Sequence, residues 1–124
     1  KENFKFKLIK PYFSDSISPF NSQNTMLSRK VIKDYFLFPH IGRMDDIWAS
    51  YYVQSLGYKV LYDKPTVEQK RNDHNLIKDF NDEIIGYSNN LKLIKSIKNN
   101  PNSIKLYLPK KSYEAFKQYK RNFI

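Results

Sequence analysis

The residues best equipped for chemistry fall in the stretch Phe38-Pro39-His40-Ile41-Gly42-Arg43-Met44-Asp45-Asp46-Ile47-Trp48. Two adjacent carboxylates, Asp45 and Asp46, follow a guanidinium, Arg43, at what reads as a helix start. Such a pair can act as a general base toward a hydroxyl or hold sugar hydroxyls by hydrogen bonds. It can equally be a doubly acidic helix cap, because a carboxylate there accepts unpaired backbone N–H groups and meets the positive end of the helix dipole. A second cluster is Arg71-Asn72-Asp73-His74, on a turn after a short extended piece. There an imidazole and a guanidinium can face one pocket, the arginine suited to phosphate oxygens and the histidine to a divalent ion. The third is Pro19-Phe20-Asn21-Ser22-Gln23-Asn24-Thr25. Its amides and hydroxyls both donate and accept, which suits a sugar ring and suits the loop's own backbone equally well.

Several familiar sites are missing. The glycines stand far apart at 42, 57 and 86, so no glycine loop cradles a phosphate. There is no zinc-protease HExxH and no nucleophile elbow. Without cysteine there is neither a disulfide nor a thiolate metal site.

The elements that position these residues follow from periodicity. Phe4, Phe6 and Leu8 alternate with Lys5, Lys7 and Ile9, as in a strand with one buried face, and Pro11 ends it. Leu27, Val31, Ile32 and Tyr35 predict a short helix over residues 26–36. Ile47, Trp48, Tyr51, Tyr52 and Leu56 predict a helix that starts at the acidic pair and stops at Gly57. Residues 58–62 read as a strand stopped near Pro65. Asn72 or Asp73 caps a helix lined by Leu76, Ile77, Phe80, Ile84 and Ile85, which Gly86 ends. Ser88 opens another helix, with Leu91, Ile94 and Ile97 on one face, broken at Asn99-Asn100-Pro101-Asn102. Residues 104–108 alternate weakly, like an edge strand or arm. Pro109-Lys110-Lys111-Ser112 opens a last helix with an aromatic stripe of Tyr113, Phe116, Tyr119 and Phe123, which is the pattern of a core or an interface. The order predicts a mixed α/β layer.

At 124 residues the chain holds one modest core. Sixteen per cent aromatic residues argue against disorder. It opens on Lys1 rather than Met, which fits a piece of something longer. No apolar run is long enough to span a membrane and no secretory signal is visible, which leaves a cytoplasmic or a Golgi-type compartment open. The net charge of +10 is uneven: residues 87–124 carry nine Lys/Arg against Glu114, a balance of +8, and residues 1–86 carry only +2. The basic tail would attract polyanions or anionic headgroups, or it is a lysine-rich solvated face.

Gly42-Arg43-Met44-Asp45-Asp46-Ile47-Trp48-Ala49, followed by a glycine-containing helix end, a strand and Pro65, resembles the Asp-Asp-x-Trp-Ala segment of the plant reversibly glycosylated polypeptides (UDP-arabinopyranose mutases). It also resembles the related glycosyltransferase-like domain of the STELLO proteins. Residues 19–25 and 65–74 are similar to the flanking segments of the STELLO-like group, and the match covers residues 18–86. The resemblance implies the C-terminal, sugar-facing part of a GT-A-type fold, with residues 1–86 as that region and 87–124 as a basic helical tail of extra helices. It implies transfer of a sugar from a nucleotide-sugar donor to a glycan or protein hydroxyl, with manganese or magnesium on the donor diphosphate. Asp45 or Asp46 would be the general base, the other holding the sugar or capping the helix. Arg43 and Arg71 would lie near the donor phosphates, Trp48 would brace the acidic pair or offer a platform, and Asn21, Gln23 and Asn24 would line the sugar pocket. His74 would be the metal ligand. No Asp-x-Asp metal motif stands in a suitable place, and a full domain of this type needs roughly twice the length, so an N-terminal half or a partner chain would complete it. The alternative is a non-enzymatic module whose residues 87–124 bind nucleic acid or an anionic surface, with Tyr107, Tyr113, Phe116 and Tyr119 interleaving lysines. Nucleic acid is disfavoured, since no recognised motif for it is present. A third reading is a remnant that packs on a partner through the last aromatic stripe.

Overall fold

A helix buried on all sides organises the molecule. The computed structural model describes residues 10–70 and 73–123; the expected strand at residues 4–9 and the side chains of Arg71 and Asn72 lie outside them. Helix α1 spans Asp45–Ser55, and its six consecutive residues Trp48 to Val53 are all buried. Six residues cover more than one full turn, so α1 has no solvent face there and must be the centre of the core. A 3-10 turn, Gly42–Met44, runs straight into it. At its far end Gly57 takes φ +95°, the Gly57 N–H donates to Gln54 O and the Tyr58 N–H to Val53 O. That is a Schellman stop, as the sequence predicts.

The class is mixed but mostly helical. Its one described sheet pairs β1 (Tyr12–Phe13) with β2 (Leu61–Tyr62), antiparallel, Tyr12 opposite Tyr62 with their rings stacked 5.4 Å apart. The strand expected over 58–62 therefore shrinks to two residues. The backbone N–H of Tyr58 is spent on Val53 O in the helix stop and so is not part of the ladder, while its hydroxyl donates to Lys30 O at 3.1 Å with Asp34 Oδ2 at 3.4 Å. The helix expected over 26–36 is a run of turns, with Val31 N bonded to Ser28 O and both Asp34 N and Tyr35 N to Val31 O.

Two expected helices are one. Helix α2 runs unbroken from Leu76 to Asn99, capped by the Asn75 side chain, which accepts from Lys78 N at 3.1 Å. Gly86 is not its stop. A Cβ at Gly86 would sit 2.3 Å from Met44 Sδ, and one at Gly42 would sit 2.2 Å from Asp82 O. The two glycines thus let α2 and the 3-10 turn approach closely. The expected faces also change: Leu93 and Ile97 point into the core, whereas Leu76, Ile77, Phe80, Ile84 and Leu91 are exposed. Residues expected as an extended arm form a 3-10 helix, Pro101–Leu106, because Asn100 caps it and Ile104 is buried. Helix α3, Lys110–Arg121, follows Pro109 as predicted.

The core draws on both sides of residue 86. Val31, Phe38, Ile41 and the α1 residues pack with Leu93, Ile97, Ile104, Leu108 and Phe116. Phe116 lies edge-on to Phe38 and Tyr52, at 5.2 and 5.3 Å between centroids, and Phe36 joins it at 5.7 Å. Of the aromatic stripe on α3, Phe116 is core, Tyr113 and Tyr119 pack against it, and Phe123 is exposed. The tail is further tied down by an ion pair, Lys120 Nζ to the buried Asp34 Oδ1 at 2.6 Å, and by the Tyr119 hydroxyl donating to Ile32 O. Among the described residues no helix is long and apolar enough to cross a membrane.

Candidate functional site

The site is built from one polar stripe on α1. Asp46, Ser50 and Gln54 recur every fourth residue, so they stack along a single helix face. That face is laced to the preceding loop. The Ser22 N–H and hydroxyl donate to Asp46 Oδ2 at 2.8 and 3.1 Å. The Phe20 N–H donates to Ser50 Oγ at 3.3 Å, and Gln54 both accepts from Ser18 N at 3.0 Å and donates to Ser18 O at 2.6 Å. Residues 18–22 therefore run antiparallel to the stripe, and this pins the amide-rich loop beside the start of α1.

Neither aspartate is the helix cap. Met44 holds that position without a side-chain bond, because the 3-10 turn leads directly into α1. Asp45 and Asp46 instead fill the first turn, where the helix dipole favours their charge. Both are half-buried. Asp45 Oδ1 accepts from the Asp46 N–H at 2.9 Å. Both Ser22 donors share Asp46 Oδ2, so each carboxylate keeps one oxygen without a partner among the described residues, Oδ1 on Asp46 and Oδ2 on Asp45.

Tyr35, which the sequence presents only as part of an apolar helix face, belongs to this site. Its ring stacks on Phe20 at 5.7 Å, and its hydroxyl is buried with no hydrogen-bond partner among the described residues. Burial, then the charges of Asp46 and Asp45, push its pKa up to about 12. The phenol therefore stays protonated, a donor held near two carboxylates.

Of the other sequence-predicted residues, Arg43 and His74 do come together. Arg43 Nη1 and Nε grip Asp79 Oδ1 at 2.8 Å and Glu83 Oε1 at 3.1 Å, and His74 Nδ1 meets Asp79 Oδ2 at 3.0 Å. Asp79, one helical turn before Glu83, is the shared partner that sequence reasoning did not single out. Asn24 Oδ1 accepts from the Thr66 hydroxyl at 3.0 Å, which joins the 19–25 loop to the segment after β2. Asn21 turns inward on its own loop, its Oδ1 accepting from Gln23 N, and Gln23 is exposed. Trp48 is not a platform: it is fully buried, and its indole N–H donates to Asn90 Oδ1 at 2.8 Å.

The divalent ion that the resemblance implies finds no donor set here. His74 and Asp79 supply two ligands, and Arg43 already sits against that carboxylate, where its charge opposes a cation's. Among the described residues no group of three His, Cys, Asp or Glu converges.

Two open cavities lie elsewhere. One of about 290 Å³ is lined by Tyr52, Ile104, Phe116, Lys117, Lys120 and Arg121, among others. The other, of about 410 Å³, lies along Phe13–Ile17 and Gln54–Val60. Neither includes Asp45 or Asp46. Comparison with protein-family models, with characterised proteins and with solved structures returned no match to this chain.

Proposed function

We propose that this chain is the sugar-facing, C-terminal part of a nucleotide-sugar-dependent glycosyltransferase, the rest of a GT-A-type domain being supplied by other polypeptide. One observation carries the reading. The three segments of the resemblance, residues 19–25, 42–48 and 65–74, converge on the start of α1 through Ser22–Asp46, Asn24–Thr66 and the shared Asp79 of Arg43 and His74. Asp45, whose carboxylate is not tied to the loop, is the base. It takes the proton of the acceptor hydroxyl as that oxygen bonds to the anomeric carbon and the nucleoside diphosphate leaves with the glycosidic electron pair. Asp46 and Ser22 hold the loop that carries Asn24.

The test is calorimetric titration of UDP and GDP, with transfer assays, on the longest polypeptide that carries this sequence. Asp45→Asn should leave nucleotide affinity within about twofold and lower turnover by roughly 10²-fold or more. Unchanged turnover, or no binding of either nucleotide, refutes the reading.

A second reading has its own support. The groove over Tyr52, Ile104 and Phe116 is rimmed by three cations of the +8 tail, of which Lys117 is paired with Glu114 and Lys120 with Asp34. A basic module binding a polyanion there would show affinity that collapses with salt and with Arg121→Ala.

A further inference from the structure

The outward face of α2 carries apolar residues in a pattern of its own. Ile77, Phe80, Ile84, Tyr87, Leu91 and Ile94 are spaced three, four, three, four, three, which is the strict seam of a two-stranded coiled coil. The first five are between 49% and 86% exposed, and Ile94 is half-buried. Phe80 and Tyr87 stack at 6.0 Å along the seam. The opposite face of the same helix, Gly86, Leu93 and Ile97, is what the core uses. So α2 has one partnered face and a second apolar face that is exposed among the described residues from Ile77 to Leu91, with Ile94 at its end resting partly on the core.

Charge along α2 says what fits this face. From residue 73 to 83 the chain carries Asp73, Asp79, Asp82 and Glu83 against Lys78; from 92 to 98 it carries Lys92, Lys95 and Lys98 with no acid. A second copy laid parallel would place acid on acid and lysine on lysine. A copy laid antiparallel, with the two-fold axis midway between residues 85 and 86, removes those like-charge meetings and sets Asp79, which Arg43 and His74 also hold, opposite Lys92, while Asp82 and Glu83 meet Asn89 and Ser88. It also mates all six seam positions: Ile77 faces Ile94, Phe80 faces Leu91 and Ile84 faces Tyr87, each twice. The same operation sets Asp73 opposite Lys98 and runs the helix dipoles head to tail. We propose that α2 is the interface of an antiparallel, two-fold homodimer of this chain. The proposal does not depend on the transferase reading, since none of the residues assigned a role there lies on the seam.

The chain has no cysteine, so single thiols report geometry directly. Sedimentation velocity over roughly 5–500 μM should show a monomer–dimer equilibrium. Ile84→Lys should remain monomeric across that range, with the helical circular dichroism and the Trp48 fluorescence of the parent, because Ile84 is not used by the core. Oxidising a mixture of Phe80→Cys and Leu91→Cys chains should give mainly the mixed disulfide, and Phe80→Cys alone should give little. A monomer at the highest concentration, a dimer that survives Ile84→Lys, or preferential Phe80→Cys self-linkage would each overturn the proposal.

Discussion

Replacing Gly42 and Gly86 in turn by alanine tests the closest contact in the fold. The two glycines face each other's elements across the joint between α2 and the 3-10 turn, yet the two changes should differ sharply. At Gly42 the backbone has φ +59°, and the new Cβ would lie 2.2 Å from the Asp82 carbonyl oxygen, which is helix backbone and cannot step aside. The left-handed conformation costs an alanine roughly 1–2 kcal/mol. Relieving the overlap adds roughly 1–3 kcal/mol, and the stiffer unfolded chain returns about 0.4–1 kcal/mol. The net loss is about 2–4 kcal/mol. At Gly86 the obstacle is Met44, with Sδ at 2.3 Å and Cγ at 3.0 Å. A thioether has rotamers to move into, and an alanine inside a helix recovers about 0.8–1 kcal/mol of propensity. Gly86→Ala should therefore fall within about 1 kcal/mol of the parent. Urea unfolding followed by the single, fully buried Trp48 reads both. For Gly42→Ala the midpoint should drop by on the order of 1–2 M. Equal losses at the two positions would refute the distinction between a backbone obstacle and a flexible one. A neutral Gly42→Ala would refute the close approach itself.

Two further outcomes follow from the polar groups. Lys120→Ala leaves the buried Asp34 carboxylate with only the Tyr58 hydroxyl at 3.4 Å, and should cost about 1–2 kcal/mol in denaturant unfolding, the half-exposed lysine end holding the figure down. Asp34→Asn combined with it should cost less than the two single losses added together. Stability should also fall steeply in alkali. Burial is the first cause that raises the phenols of Tyr35, Tyr51, Tyr52, Tyr58, Tyr62 and Tyr119, and Tyr35 reaches about 12. For Lys120 burial pulls down, but the Asp34 hydrogen bond with the charges of Tyr52 and Asp34 outweighs it, and the net direction is up. Groups whose native pKa exceeds the unfolded value of 10.0 hold their full contribution below that pH and lose it as pH climbs toward 12. Tyr35→Phe should flatten that decline by on the order of 1 kcal/mol and leave neutral stability unchanged or slightly higher, since it removes a buried hydroxyl without a partner; a clear loss at neutral pH refutes this.

The parts legible in the sequence are those decided by local chemistry. The start of α1, its stop at Gly57 and the opening of α3 at Pro109 each rest on residues within one turn of the event. The misread parts are those decided by residues distant in the chain. Gly86 looks like a helix stop because glycine ends helices, and only Met44, forty-two residues earlier, makes it an interior contact instead. The apolar residues from Leu76 to Leu91 were expected to face a core because that is where an apolar stripe usually goes; here Gly86, Leu93 and Ile97 claim the core side. The acidic pair reads as a helix cap but fills the first turn instead, since nothing local shows that residues 42–44 wind into the helix. Tyr35 was invisible because a tyrosine among Leu27, Val31 and Ile32 reads as apolar surface. The stripe Asp46, Ser50 and Gln54 was there to be found: three polar residues at fourfold spacing on an otherwise apolar helix need partners, and the only open question was which loop supplied them.

That stripe also bears on how the two aspartates divide their work. Asp46 stands at the top of a ladder that ends in Ser22, with two donors on one oxygen, so its first duty is to fix the loop. Asp45 lies in the same first turn of the helix but binds only its neighbour's N–H. Each aspartate keeps one oxygen without a partner among the described residues; what separates them is that Asp46 also anchors the loop through Ser22 and Asp45 does not. The arrangement gives the loop-holding task to one of two adjacent residues. It also places the loop under the control of α1 itself: because Ser50 and Gln54 are buried or half-buried against the same core as Phe116 and Ile97, the geometry at Asp45 depends on the packing of the basic tail. The strongly uneven charge therefore does not divide the molecule into an acidic site and an independent basic arm; Asp34 with Lys120, and Phe38 with Phe116, make them one packed unit.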